Sequence, residues 1–157
     1  MVMLLMGVMN FFHAQTFVHL NEQYSTDPAV ITIHNGHIIA GEDLLWNNSV
    51  YTVSGKSIYK GFSTSVFDRL YTLEDGKVYV GQGRTSFDVW LTIRNNAIYK
   101  GDSTFPLDCL YTFNSTDVYK GASQFVFDRL LYFLGEYPDK MEIVATLLAL
   151  GMLPEPE

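Results

Sequence analysis

Apolar and polar residues alternate along this chain in short runs broken by turn signals at fixed intervals. From residue 31 the pattern recurs every 20 residues with no insertion: ITIHNGHIIAGEDLLWNNSV, YTVSGKSIYKGFSTSVFDRL, YTLEDGKVYVGQGRTSFDVW, LTIRNNAIYKGDSTFPLDCL and YTFNSTDVYKGASQFVFDRL. Positions one to four and seven to ten of each unit are strand-like, while positions five and six carry Asn35-Gly36, Gly55-Lys56, Asp75-Gly76, Asn95-Asn96 and Ser115-Thr116. Asn-Gly and Asp-Gly supply the positive φ angles of a two-residue type I′ turn, so each unit predicts a β-hairpin in which position three faces position eight. That register pairs Val53 with Ile58, Leu73 with Val78, Ile93 with Ile98 and Phe113 with Val118, apolar pairs of the kind that carry sheet stability. On the opposite face Thr32, Thr52, Thr72, Thr92 and Thr112 at position two meet Ile39, Tyr59, Tyr79, Tyr99 and Tyr119 at position nine. Both faces are part apolar, which favours hairpins stacked as blades or solenoid rungs over a meander with one wet face.

The ends of the periodic region carry half-units. Residues 17–20 fall at positions seven to ten, and LYFLGE after the fifth unit is the first half of a hairpin. Pairing residues 16–20 with residues 131–135 would close a ring of six and hide the sheet edges. The alternative is an open solenoid whose ends are separate caps. In the tail, Asp139 is a capping residue, and Ile143, Val144, Leu147, Leu148 and Leu150 form a broad apolar surface that predicts a helix over residues 140–150. Such a helix is too apolar to stand alone, and is expected to plug one mouth of the ring or cover the last hairpin. The fold class is therefore an all-β repeat protein, ring-closed and propeller-like or an open hairpin solenoid, with one C-terminal helix. Its expected divisions are a signal peptide at 1–15, a repeat domain at 16–136 (units 31–50, 51–70, 71–90, 91–110 and 111–130, half-units 16–30 and 131–136), and a capping helix and tail at 137–157.

Two further columns are structural. Gly41, Gly61, Gly81, Gly101 and Gly121 hold position eleven, where a left-handed residue or bulge turns the chain out of the hairpin and a side chain is expected to clash. Position eighteen is Asn48 and then Asp68, Asp88, Asp108 and Asp128, carboxylates able to tie a loop to itself or to the next unit through amides and hydroxyls. Calcium would need six or more oxygen ligands converging from these loops, which lack the acidic density of known calcium loops.

Composition narrows the chemistry. The 157 residues, 48% hydrophobic, suffice for one domain with a sizeable core. A formal charge of −7 without a basic patch argues against nucleic acid. Cys109 is the single cysteine and reads as a packing residue, since no recurring His accompanies it. His34 and His37 flank the first turn, without a third ligand for a metal. No cofactor or metal site is expected. MVMLLMGVMNFFHAQ is an apolar stretch ending in small and polar residues, suited to a signal peptide and too short to span a bilayer, so the mature chain is expected to be secreted or periplasmic with no membrane span.

Twenty residues per hairpin and loop over residues 31–136 resembles, in general plan, the bacterial cell-wall-binding repeats of the choline-binding kind. The Trp-rich signature that builds the choline cage there is replaced here by the phrase IYKGxST, so the resemblance implies architecture and no ligand. The phrase also looks like that of uncharacterised secreted repeat proteins.

Catalytic sites are asymmetric constellations with perturbed pKa values, whereas this chain repeats its polar residues in columns. The expectation is a non-catalytic secreted or periplasmic module displaying variable loops to a glycan, a wall polymer or a protein. Trp46, Phe62 and Phe105 are the candidate contact residues on the loops. Tyr59, Tyr79, Tyr99 and Tyr119 offer flat amphipathic faces that serve either packing or sugar stacking. The alternative is an enzyme or enzyme inhibitor acting through NEQYSTDP, GEDLLWNN and the tail. A contiguous exposed aromatic patch would favour binding; a deep pocket of convergent Asp, Glu or His would favour chemistry.

Overall fold

The computed structural model describes residues 15–20, 27–42 and 44–156, so all of the expected signal segment except Gln15 lies outside the described residues. Twelve strands form one closed antiparallel barrel: β1 (Gln15–Leu20), β2 (Ile31–His34), β3 (His37–Ala40), β4 (Ser49–Ser54), β5 (Ser57–Lys60), β6 (Arg69–Glu74), β7 (Lys77–Val80), β8 (Val89–Arg94), β9 (Ala97–Lys100), β10 (Cys109–Phe113), β11 (Asp117–Lys120) and β12 (Arg129–Gly135). One helix follows, α1 (Lys140–Ala149).

The hairpin registers are those the turn residues dictate. Val53 faces Ile58, Leu73 faces Val78, Ile93 faces Ile98 and Phe113 faces Val118. Asn35, Asp75, Asn95 and Asn96 adopt positive φ of 49–58°, the conformation that short polar side chains tolerate. The fifth turn is built differently: Asn114 Oδ1 accepts from the backbone N–H groups of Thr116 and Asp117, an Asx turn.

Ring closure is the observed solution. β1 pairs with β12 from Thr16↔Gly135 to Leu20↔Leu131, and with β2 on its other edge. The open solenoid is excluded, and so is blade-on-blade stacking, because each hairpin is hydrogen-bonded edge to edge with the next. What the 20-residue pattern concealed is a bulge between neighbouring hairpins. Ile58 pairs with Tyr71 and Tyr59 with Arg69, leaving Leu70 as the extra residue, and the same shift recurs at Val50, Trp90, Leu110 and Leu130. A bulge bends its strand and breaks strict alternation, so Trp90 and Leu91, adjacent in sequence, both pack in the core.

The helix runs through the barrel rather than covering its last hairpin. Asp139, its N-cap, adjoins Asn96 and Ser115 at the end of the barrel formed by the hairpin turns. At the opposite end Tyr111 Oη donates to the Met152 carbonyl, and Trp90 Nε1 donates to the Pro154 carbonyl at 2.9 Å. Met141, Ile143, Val144, Ala145 and Leu147 are buried in one cluster with the inward residues of the strands, as a helix apolar all round its circumference requires.

The glycine column acts through backbone conformation alone. Gly81 has φ +59° and nothing within 4 Å of where a Cβ would stand, so the expected clash does not occur. Gly135, at the closing seam, has φ +114°, and a Cβ there would lie 2.2 Å from the Gln15 carbonyl oxygen. Gly81→Val is expected to cost about 1–3 kcal/mol for backbone strain, and Gly135→Val more, because β1 and β12 must also separate. Denaturant midpoints of the two variants decide this, and equal losses would contradict it. Leu147→Ala is expected to cost about 2–5 kcal/mol, the range for emptying a buried leucine site, and an unchanged thermal midpoint would place α1 outside the cooperative core.

Candidate functional site

Each loop that joins one hairpin to the next is fastened by its own side chains. The position-two threonine hydroxyl donates to the carbonyl of the left-handed glycine, at 2.6–2.8 Å for Thr32–Gly41, Thr52–Gly61, Thr72–Gly81 and Thr92–Gly101. Further on, a one-turn 3-10 helix ends in the aspartate. Ser63, Ser103 and Ser123 donate to Asp68, Asp108 and Asp128 at 2.5–2.6 Å. In the third unit Gly83 replaces that serine, since a Cβ there would stand 2.5 Å from the Asp88 Cβ, and Thr85 donates to Asp88 at 2.6 Å instead. Hydrogen bonds from the Thr85 side chain and backbone hold the Asp88 carboxyl below the ordinary carboxylate range. These carboxylates serve their own loops, and no group of three His, Cys, Asp or Glu among the described residues is placed to hold a metal ion.

The first two hairpins carry the asymmetric feature. Phe62 follows the left-handed Gly61 and so reaches position seven of the preceding unit, the geometry by which Asp102 meets Lys77 at 2.8 Å elsewhere. Position seven is His37 here. Its ring stacks on Phe62, with centroids 4.6 Å apart, and meets the edge of Trp46 at 5.0 Å. Trp46 also lies 5.3 Å from His34 and 6.1 Å from Phe62. His37 Nδ1 is 3.0 Å from Thr52 Oγ1, which orients the imidazole. Trp46 is 41% and Phe62 60% exposed, so the cluster is an open shelf. Beside it lies a groove of about 250 Å³ bordered by Asn35, Thr52, Ser54, Ser63 and Thr64.

Six hairpins, one of them split between the chain ends, close the barrel, and residues 18–147 match the family model of the 6-fold beta flower protein. The chain belongs to this family. No curated protein and no solved structure matches it.

In the flower each hairpin is a petal, and the petals separate the expected contact residues. Trp46 and Phe62 come together across the first and second petals, whereas Phe105, 73% exposed, stands on the loop after the fourth strand pair and makes no ring contact with them. Tyr59 and Tyr119 are buried, Tyr79 and Tyr99 half-buried. Arg69 donates to the Tyr59 hydroxyl at 3.3 Å with its guanidinium 5.5 Å from the ring, and Asn114 donates to the Tyr119 hydroxyl at 3.3 Å. Cys109 is half-buried, and burial raises its thiol pKa. Sequence reasoning missed position seventeen: Phe67, Phe87, Leu107 and Phe127 are 94–99% exposed at the tips of the 3-10 turns. Their signal was present as an apolar column at a fixed loop position just before the aspartate.

Burial, and after it the charge of His34, holds the His37 pKa below its ordinary 6.5. Between the lowered value and 6.5 the unfolded chain binds more proton than the flower, so stability falls as pH drops through that window. His37→Gln is expected to flatten the loss of stability between pH 7 and about 5. Parallel pH dependences of wild type and variant in urea denaturation would contradict it.

Proposed function

We propose that this flower is a non-catalytic binding module and that the shelf of Trp46, Phe62 and His37 takes a sugar ring of a glycan. The observation that carries the reading is the juxtaposition of exposed aromatic faces with a groove bordered by hydroxyl and amide side chains. An aromatic face accommodates the apolar C–H face of a pyranose, while a few placed polar groups fix orientation. On the Phe62 side of the shelf the Thr52–Gly61 and Ser63–Asp68 hydrogen bonds hold the loop in position before a ligand arrives, which lowers the entropy cost of binding. The alternative is an enzyme or inhibitor acting through NEQYSTDP, GEDLLWNN and the tail; residues 21–26 and 43 lie outside the described residues, and the part that rests on the tail is disfavoured because α1 packs in the barrel interior. The apolar N-terminal stretch, read as an export signal, fits a module that meets wall or extracellular glycans.

Fluorescence reads this out directly, since Trp46 is exposed whereas Trp90 is buried and bonded to Pro154. Titration of the full chain with cell-wall muropeptides and with chito-, xylo- and cello-oligosaccharides is expected to give a saturable change in Trp46 emission from at least one series. Trp46→Ala should abolish binding, and Phe62→Ala should weaken it by roughly tenfold, the consequence of about 1.4 kcal/mol. Binding that survives both substitutions, or no saturable response from any series, would overturn the proposal.

A further inference from the structure

The loop tips carry more exposed apolar surface than a binding shelf on two petals can use. Phe67, Phe87, Leu107 and Phe127 occupy the same position on four consecutive loops and are 94%, 96%, 99% and 94% exposed. Phe105 and Phe125 stand beside them at 73% and 74%. The same position is Asp27 before the second strand and Asn47 in the first repeat, so the apolar residues form an arc over four of the six petals. The shelf of Trp46 and Phe62 lies at the polar side of this arc.

We infer that this arc docks against the same arc of a second copy of the chain, rim to rim about a twofold axis. Three features favour a copy over other occupants. The first is area. Aromatic side chains bury roughly 150–250 Å² each, so five phenylalanines and a leucine supply on the order of 1,000 Å². A standard interface needs about 800 Å² per partner. The second is shape, because the rim that bears the knobs also bears holes. Between the fourth and fifth repeats a cleft of about 450 Å³ is floored by Leu110, Tyr111, Leu130 and Met152, apolar and roomy enough for a phenyl ring. Phe87 itself borders a neighbouring cleft with Val80, Trp90 and Pro154.

The third is charge. The rim carries Lys60, Lys100 and Lys120 at position ten, beside Asp68, Asp88, Asp108 and Asp128 at position eighteen, which are also hydrogen-bonded within their own loops. A rim carrying both signs presents no net field that would repel a second copy across a twofold axis. It lacks the single-sign field that draws a protein to nucleic acid or an anionic bilayer.

Sedimentation velocity of the full chain over a concentration series tests this. The wild type is expected to be a dimer, and the variant carrying Phe67→Ser, Phe87→Ser, Leu107→Ser and Phe127→Ser a monomer with an unchanged circular-dichroism spectrum. The single change Phe127→Asp, which removes one knob and leaves the rest of the fold untouched, should raise the dissociation constant by roughly tenfold or more. Lys56→Glu, at the opposite rim, should leave the dimer intact. A wild type that stays monomeric, or a Phe127→Asp variant that dimerises as the wild type does, would overturn the inference. A monomeric wild type that floats with phosphatidylcholine vesicles would overturn it in favour of a lipid surface.

Discussion

A barrel of twelve strands encloses more room than its own side chains can fill, and every other feature of this molecule accommodates that constraint. Eight strands already make an interior just wide enough for side chains, and diameter grows with strand number. Here the surplus is filled by α1. Its ten residues span about 15 Å, within the roughly 13–23 Å of strands four to seven residues long. Most of the helix surface is apolar because Met141, Ile143, Val144, Ala145 and Leu147 are packed against the inward strand residues. A chain that ended at β12 would leave Ile38, Ile58, Leu91 and Val118, all wholly buried in the structure, lining an unfilled lumen.

Closing the ring requires each petal to turn relative to the last, and the local chemistry supplies that turn. The left-handed glycine takes the chain out of one petal, and in four of the five units the position-two threonine hydroxyl fastens its carbonyl. The bulged residue at the start of the next petal then bends the sheet, adding a second inward side chain at Leu70, Trp90, Leu110 and Leu130. The loop between is fixed by Ser63, Ser103, Ser123 or Thr85 on its aspartate. Because these fastenings are internal to each unit, the loop tips are free to vary without disturbing the wall. The proposed glycan shelf and the apolar arc both stand on that variable surface. The shelf arises where one unit places His37 at position seven and the next places Phe62 at position twelve; the same register elsewhere yields the Lys77–Asp102 ion pair.

The hairpins and their registers were legible in the sequence because they rest on local rules: turn residues with positive φ, a period of two along strands, and a period of 20 along the chain; the two half-units were visible as well, but whether they paired or capped an open solenoid was not. Asn35-Gly36 and Asp75-Gly76 specify their turns without help from the rest of the protein. The contact between Trp46 and Phe62 was only half legible. Both residues stood out as loop aromatics, but their union depends on Gly61 aiming position twelve at the preceding petal.

Tertiary structure alone decided the rest. Hairpins with two part-apolar faces satisfy stacking and edge pairing equally well on paper, and the choice fell to edge pairing because the bulges curve the sheet until β1 meets β12 and no strand edge remains. The path of α1 through the lumen could not be read from its apolar residues, since a helix buried in a barrel and one lying over a hairpin differ in what surrounds them. Nor could the exposure of Phe67, Phe87, Leu107 and Phe127. An apolar column reads as core in a sequence, and it stands in solvent here because a one-turn helix, held by the neighbouring aspartate, lifts it away from the wall.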